Sequence, residues 1–378
     1  MEIAEKIQDQ LVRLRQRTGL LITKYHRIYL GLVCGYALLG YFFVLLFPLL
    51  VIISINKLYA YLFTVTAIDW QAVLVWSLIL LLSVLISYRS SRIKPSPAVG
   101  LTMPEAKVPK IYELVRQVQG HFKRPVIHRI IVSAEYELDI VKTPKWILPL
   151  WSKNTLVIGL PLLLCVTPKQ FECMVARRIG QFSKRQNPIT NWLYQLRGIW
   201  KQYSDAYAKQ PYIDTKVMQW IYEVYAKSYD LVSVYAARTD ELYADKYLME
   251  LYSHENVSEM ISVDAVCRWY LTCRYWPAIN KIVATKTATP MTPFRKLAPA
   301  IRVNLKADKL PAILKEVSRV VPDWKDPIPS MKIRLDHIGH DKPHMSENIG
   351  ESAAEHFLGA SLNGSLNLLD KLWLKKNK

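Results

Sequence analysis

The chain has 378 residues, room for a membrane segment plus one or two further domains, and it combines 51% hydrophobic residues with a formal net charge of +19. No zinc finger, glycine-rich phosphate loop or RNA-binding motif accompanies that charge, so nucleic acid is not the expected partner and an anionic bilayer surface is. Five cysteines, an odd number with no C-x-x-C pair, exclude a disulfide framework and read as buried apolar side chains in a reducing compartment.

Residues 1–27 form a basic cytoplasmic segment with Ile3, Ile7, Leu11 and Leu14 at helical spacing, equally compatible with a membrane-surface helix and a solvated tail. Residues 28–90 follow as two transmembrane helices. Ile28 to Ile55 carries no charged residue, and neither does Ala72 to Ser87, which becomes long enough to span once Ile68, Trp70 and Tyr88 are counted. The first run exceeds the core of a signal peptide and has no small-residue cleavage site after it. Tyr25, Tyr29, Tyr59, Tyr61, Trp70 and Tyr88 stand near the ends of the runs, where amphipathic rings favour headgroup level. Arg13, Arg15, Arg17, Lys24 and Arg27 precede the first run, and Arg89, Arg92 and Lys94 follow the second. The connecting loop offers Lys57 against Asp69, so the expectation is a two-pass protein with both termini and the large domain on the cytoplasmic side.

Residues 91–102, with Pro95, Pro97 and Gly100, read as a linker, and 103–378 as the cytoplasmic domain. Pro104 to Phe122 has a helical pattern, with Val108, Ile111, Leu114, Val115 and Val118 on one face. Val126 to Ala134 and Thr155 to Gly159 are β-branched runs expected to be strands. After Pro168 the pattern is almost wholly helical. Asn191 to Lys209 and Tyr212 to Leu251 are aromatic-rich, with Trp192, Leu196, Trp200, Tyr203 and Tyr207 at a spacing that suits packing.

Thr155 to Lys184 carries the most information. Thr167-Pro-Lys-Gln170 is a capping box with proline at the first helical position, so a helix begins there. Phe171, Met174, Val175, Ile179 and Phe182 form its apolar stripe, with Arg178 in the middle. A charge on a core face calls for an acidic partner, the other possibility being that Arg178 extends its stem to the surface.

This segment resembles the membrane-anchored zinc metallopeptidases of family 48, which include the HtpX-like heat-shock proteases and the CaaX prenyl proteases. Leu156-Val-Ile-Gly-Leu-Pro-Leu-Leu163 and Thr167-Pro168 are similar to the family's strand and helix start. Where the family has Ala-His-Glu-x-Gly-His, this chain has Ala176-Arg177-Arg178-Ile179-Gly180-Gln181. Further on, Arg238-Thr-Asp-Glu241-Leu-Tyr-Ala244-Asp245 resembles the family's Arg-x-x-Glu-x-x-Ala-Asp, and Ile328-Pro-Ser-Met-Lys-Ile-Arg334-Leu335 resembles a later motif. Glu351 to Glu355 and Leu369 to Trp373 are similar to the closing segments, so the resemblance covers most of 100–375.

The resemblance implies an α+β fold, a mostly helical zincin-like domain with a small sheet. It implies Glu241 at the third zinc ligand, Asp245 as its acidic support and Arg334 as groove support. The family's motif works because two imidazoles one helical turn apart bind zinc while the glutamate between them is the general base. Arg177 has no lone pair to donate, Arg178 puts a cation where the base stands, and Gln181 is a poor ligand. The expectation is therefore a pseudopeptidase with no catalytic residue intact and no cofactor in place of the family's zinc. Arg177 and Arg178 would meet Glu241 and Asp245 in a salt bridge, unless those acids pair with Arg238 and Lys246 on an exposed helix. The alternative is an active membrane metalloendopeptidase with an atypical metal site.

The resemblance also implies a polypeptide partner, added as a strand along Val126 to Ile140 or Thr155 to Gly159, the arginine pair favouring acidic or carboxylate ligands. Other chemistry is weaker. His337, His340 and His344 are close in sequence, but Gly339 and Pro343 keep them off one helix face. Cys173 lies one turn before Arg177, whose charge would lower a thiol pKa, but no histidine base is beside it.

Overall fold

The computed structural model describes residues 22, 24–63, 69–95, 98–122, 125–144, 152–183, 188–210, 216–284, 292–340, 342–346 and 350–376. The amphipathic pattern at Ile3 to Leu14 lies outside them. The chain forms two compact units, one of residues 1–94 and 192–236, the other of 95–191 and 237–378. The chain thus leaves the second unit and returns to it, where a linear reading places one domain from 103 to 378.

The first unit opens with two helices long and apolar enough to cross a membrane, α1 (His26–Phe63) and α2 (Trp70–Arg92). Both run beyond the uncharged stretches, α1 to 38 residues and α2 to 23. Asp69 caps α2, its carboxylate accepting from the backbone N–H groups of Gln71 and Ala72, which fixes where the second helix starts. The aromatic residues after 191 belong to this unit. Most of α6 (Pro188–Ala208) and all of α7 (Lys216–Val232) pack rings of Trp200, Tyr203, Tyr222, Tyr225 and Tyr229 against each other and against Tyr36, Tyr41 and Phe43 of α1. Gly40 allows the approach, because a side chain there would meet Trp200 and Tyr225 at 2.6 Å.

The second unit is mostly helical around one four-stranded sheet. The strands are β1 (Leu101–Met103), β2 (Ile127–Ser133), β3 (Leu138–Pro144) and β4 (Ser152–Gly159), in spatial order β1-β2-β4-β3. β1 is antiparallel to β2, β2 is parallel to β4, and β3 is antiparallel to β4, with Ile140 opposite Leu156. β4 is therefore paired on both sides, and its run Leu156 to Gly159 is buried. Its last residue must be small, since the Glu135 carbonyl occupies the place of a Gly159 side chain and Gly159 N–H donates to Glu137 at 2.7 Å.

From β4 the chain enters the short buried helix α4 (Leu160–Cys165) and then α5 (Pro168–Gln181), with α3 (Pro109–Phe122) packed on α5. The expected capping box is present: Thr167 Oγ1 accepts from Gln170 N–H at 3.3 Å and Gln170 Oε1 accepts from Thr167 N–H at 3.0 Å. Past α7 come α8 (Val234–Leu248), α9 (His254–Tyr270), α10 (Trp276–Ala284), α11 (Pro293–Asn304), α12 (Leu310–Ser318), α13 (Met331–His337), α14 (Ala353–Leu358) and α15 (Ser361–Lys376). Helices α5, α8, α9 and α13 bring the charged residues of the next section together.

Candidate functional site: a buried arginine–carboxylate cluster

α5 is buried on nearly every side, with Phe171, Cys173, Met174, Val175, Ala176, Ile179 and Gly180 all enclosed. Arg177 and Gln181 are buried with them, and Arg178 is 11% exposed at its side chain. Desolvating a guanidinium is costly unless its donors are satisfied, and here the partners come from α8. Arg177 Nη2 donates to Glu241 Oε2 at 2.7 Å and to the Glu241 carbonyl at 3.0 Å, while its Nε donates to Asp245 Oδ1 at 2.5 Å. Arg178 Nη1 donates to the other oxygen, Glu241 Oε1, at 3.1 Å and to Gln181 Oε1 at 2.7 Å. Its Nε donates to the Leu138 carbonyl at 2.9 Å, tying α5 to the first residue of β3, and Asp139 lies 3.8 Å from Nη1.

Glu241 and Asp245 are four residues apart, one turn of α8, so both carboxylates face α5. α13 adds Arg334, which grips Asp245 through Nε at 2.8 Å and Nη2 at 2.9 Å and reaches Asp264 of α9 through Nη1 at 3.1 Å. Arg268, one turn beyond Asp264, pairs with it at 3.2 Å. Gln181 donates to Asp240 at 2.9 Å and to Glu241 at 3.3 Å; Thr190 donates to the other oxygen of Asp240, and Asn191 donates to the Gln181 carbonyl.

The electrostatics follow from this geometry. Burial alone would raise the Glu241 carboxyl, but the charges of Arg178 and Arg177 outweigh it and hold the group well below the usual carboxylate range. Asp245 is held down against its burial by Arg177 and Arg334, and Asp264 by Arg268 and Arg334. Asp240 behaves oppositely. Burial and the neighbouring Glu241 charge push it up to about 7, and its hydrogen bonds with Gln181 and Thr190 only partly offset this. The four arginines are matched by Asp139, Glu241, Asp245 and Asp264, and a fifth ionised acid would be in excess.

These residues do not fit a zinc ion. Arg177 and Gln181 occupy the i and i+4 positions where imidazoles would stand, and Arg177 offers donors only. The Gln181 amide is engaged at both ends, its oxygen by Arg178 and its nitrogen by Asp240 and Glu241. Each oxygen of Glu241 already faces a fixed cation. Among the described residues no group of three or more histidine, cysteine, aspartate or glutamate side chains is arranged to hold a metal. His337 ends α13 with its ring against Tyr243, and His340 and His344 complete no metal site among the described residues.

The structure thus brings together Arg177, Arg178, Gln181, Glu241, Asp245 and Arg334. It does not pair the two acids with Arg238 or Lys246. Arg238 donates instead to the carbonyls of Asp323 and Asp326. The arginine pair, expected to favour acidic ligands, donates here to internal carboxylate, carbonyl and amide oxygens. Likewise Thr155 to Gly159 cannot accept an added strand, being paired on both sides; within Val126 to Ile140 only the residues from Leu138 belong to the edge strand β3. Cys173 has its thiol pushed up to about 12 by burial, which outweighs the lowering effect of Arg177.

Sequence reasoning missed Asp240, Asp264 and Arg268. An aspartate in the otherwise uncharged run Met260 to Cys267, with an arginine at i+4, was a readable signal for the second pair; nothing in the local sequence marks Asp240 as the acid whose pKa is raised. No family model matches the chain, no curated protein matches it and no solved structure is similar to it.

Proposed function

We propose that this chain is a two-pass membrane protein whose second unit keeps the frame of an HtpX-like zinc metalloendopeptidase without its chemistry. It would be a pseudopeptidase acting as a polypeptide-binding or regulatory protein. The observation that carries the reading is the double arginine clamp on Glu241 and Asp245. Two guanidinium groups take the place a dication has in the family this chain resembles, and they join α5 to α8 as the metal would. A general base is also missing, since the residue at that position, Arg178, is cationic at any accessible pH. In this reading α1 and α2 cross the bilayer, both termini and the second unit lie on the cytoplasmic side, and no zinc is bound. A polypeptide would add along β3, the longer edge strand of the sheet.

Metal analysis of the purified full-length protein tests this. Zinc well below one equivalent, unaffected by Glu241→Ala, is the expected result. Stoichiometric zinc that is lost in Glu241→Ala would overturn the proposal in favour of an active metalloendopeptidase with an atypical site.

A further inference from the structure

The two apolar helices differ greatly in length. At about 1.5 Å per residue, α2 measures roughly 34 Å, close to the ~30 Å hydrocarbon thickness, whereas α1 measures roughly 57 Å. α1 and α2 pack on each other and are joined by the short connection 64–69, so they run antiparallel and the C-terminal half of α1 lies beside α2. The N-terminal half of α1 then projects past the end of α2 that carries Arg89 and Arg92. That end has the makings of a headgroup anchor, with the Arg92 guanidinium 4.5 Å from the centre of the Tyr88 ring.

The projecting half of α1 is where α6 and α7 dock. Tyr29 donates to the Val232 carbonyl at 2.7 Å, Tyr36 and Ser228 share a hydrogen bond, and Tyr225 donates to the Tyr36 carbonyl at 2.8 Å. Later residues of α7 thus meet earlier residues of α1. The two helices are antiparallel, and it is the first turns of α7 that lie toward the bilayer. The end of α6 confirms the level, since Tyr207 sits beside Ser90 of α2 and stacks on Tyr222 at 5.0 Å.

At this level α7 turns apolar side chains outward. Trp220 is 66% exposed and Val217 55%, with Val224 one turn further on, and the exposed Lys209 and Lys216 flank them. An exposed tryptophan among aliphatic residues and lysines, level with a Tyr–Arg anchor, is the composition of an interfacial contact. We propose that the adjoining ends of α6 and α7, led by Trp220 and Val217, insert into the headgroup region of the leaflet that α1 and α2 enter. This makes a second membrane contact that does not span. It rests on the reading of α1 and α2 as membrane spans, and the test separates the two.

The full-length protein is reconstituted in vesicles of mixed phosphatidylcholine and phosphatidylglycerol. Cys34 and Cys273, the two cysteines that are not buried, are first replaced by alanine and serine. An environment-sensitive fluorophore is then placed in turn at Val217→Cys, which keeps Trp220, at Leu81→Cys within α2, and at Lys201→Cys on the exposed face of α6. At 217 the expected result is a blue-shifted emission, loss of quenching by aqueous iodide, and stronger quenching by lipids brominated near the headgroup than near the chain end. At 81 both lipids quench and iodide does not; at 201 iodide quenches. A probe at 217 that iodide reaches while 81 is lipid-quenched overturns the interfacial contact and leaves the spans standing. A probe at 217 shielded from iodide and from both lipids, with self-quenching that disappears on dilution into excess vesicles, also overturns it and identifies a second copy as the occupant. Iodide access at 81 overturns the spans themselves.

Discussion

Replacing Glu241 by glutamine removes one negative charge from between two buried guanidinium groups and changes the shape of the site very little. In the native protein one oxygen accepts from Arg177 at 2.7 Å and the other from Arg178 at 3.1 Å. In Glu241→Gln one of those positions becomes an NH₂ that faces another donor. One charge-assisted hydrogen bond, worth about 1.5–3 kcal/mol, is lost, and the other becomes a bond to a neutral amide oxygen, so a buried cation loses its counter-charge, at a cost consistent with the ~3–5 kcal/mol measured for unpairing one side of a buried ion pair. Against a total stability of about 5–15 kcal/mol for a typical domain, that is a large fraction. The assay is denaturant unfolding of the detergent-solubilised chain, read by far-UV circular dichroism, for Glu241→Gln, Arg177→Met and the double variant. The expected outcome is a loss of about 3–5 kcal/mol in Glu241→Gln and a coupling of about 1–3 kcal/mol between the two sites. The double variant should recover part of the loss, because it no longer buries an unmatched charge. A loss below about 1 kcal/mol, or strictly additive single changes, would refute the claim that the cluster ties α5 to α8.

Further outcomes follow from the same geometry. The combined change Arg177→His, Arg178→Glu and Gln181→His places two imidazoles one turn apart opposite Glu241, so this variant should bind about one equivalent of zinc by metal analysis and lose it when Glu241 is also changed to alanine. Asp240 titrates at about 7 in the folded chain against an ordinary value near 3.8. A raised folded pKa means that its contribution is fully present below about pH 4 and lost as pH rises to 7, on the order of 4 kcal/mol across that window. Asp240→Asn should flatten the stability profile there. Glu241, Asp245 and Asp264 are depressed instead, so their contribution is present above the ordinary carboxylate range near pH 4 and disappears as pH falls below it. Maleimide should label the exposed Cys273 and leave the buried Cys173, whose thiol is held near 12, unmodified until the chain unfolds. A Cys173 that reacts at neutral pH in the folded protein would contradict its placement.

Local rules made part of this architecture readable. Thr167-Pro-Lys-Gln170 specifies a helix start through hydrogen bonds that span only three residues, and the structure has both of them. The uncharged runs marked α1 and α2 because apolar length is itself the signal. What stayed hidden depends on contacts between distant residues. The N-terminal half of α1 is covered by aromatic rings from residues more than 150 positions away, Tyr225 on Tyr36 and Trp200 on Tyr41. The same holds for the charged cluster. Arg178 in an apolar stripe announced that an acid must be near, yet Glu241 could equally have paired with Arg238 on its own helix. Packing decides between these, since Arg238 is drawn to the carbonyls of Asp323 and Asp326.

A catalytic metal bound between helices has two separable physical effects: it draws ligands from different helices to one point, and it activates a bound water. Guanidinium groups can supply the first effect, because their donors are fixed in a planar fork and reach several carboxylates at once. They cannot supply the second, having neither an open coordination position nor Lewis acidity at oxygen. The arrangement of Arg177, Arg178 and Arg334 around Glu241 and Asp245 has the first property in full: α5, α8 and α13 meet there, and Asp264 links α9. An arrangement that only filled a space would use apolar side chains of similar volume, which are often as stable or more so. What the charged version adds is geometric discrimination, since each arginine is satisfied only when its own carboxylate is in register. The cluster therefore holds α5, α8, α9 and α13 in one register.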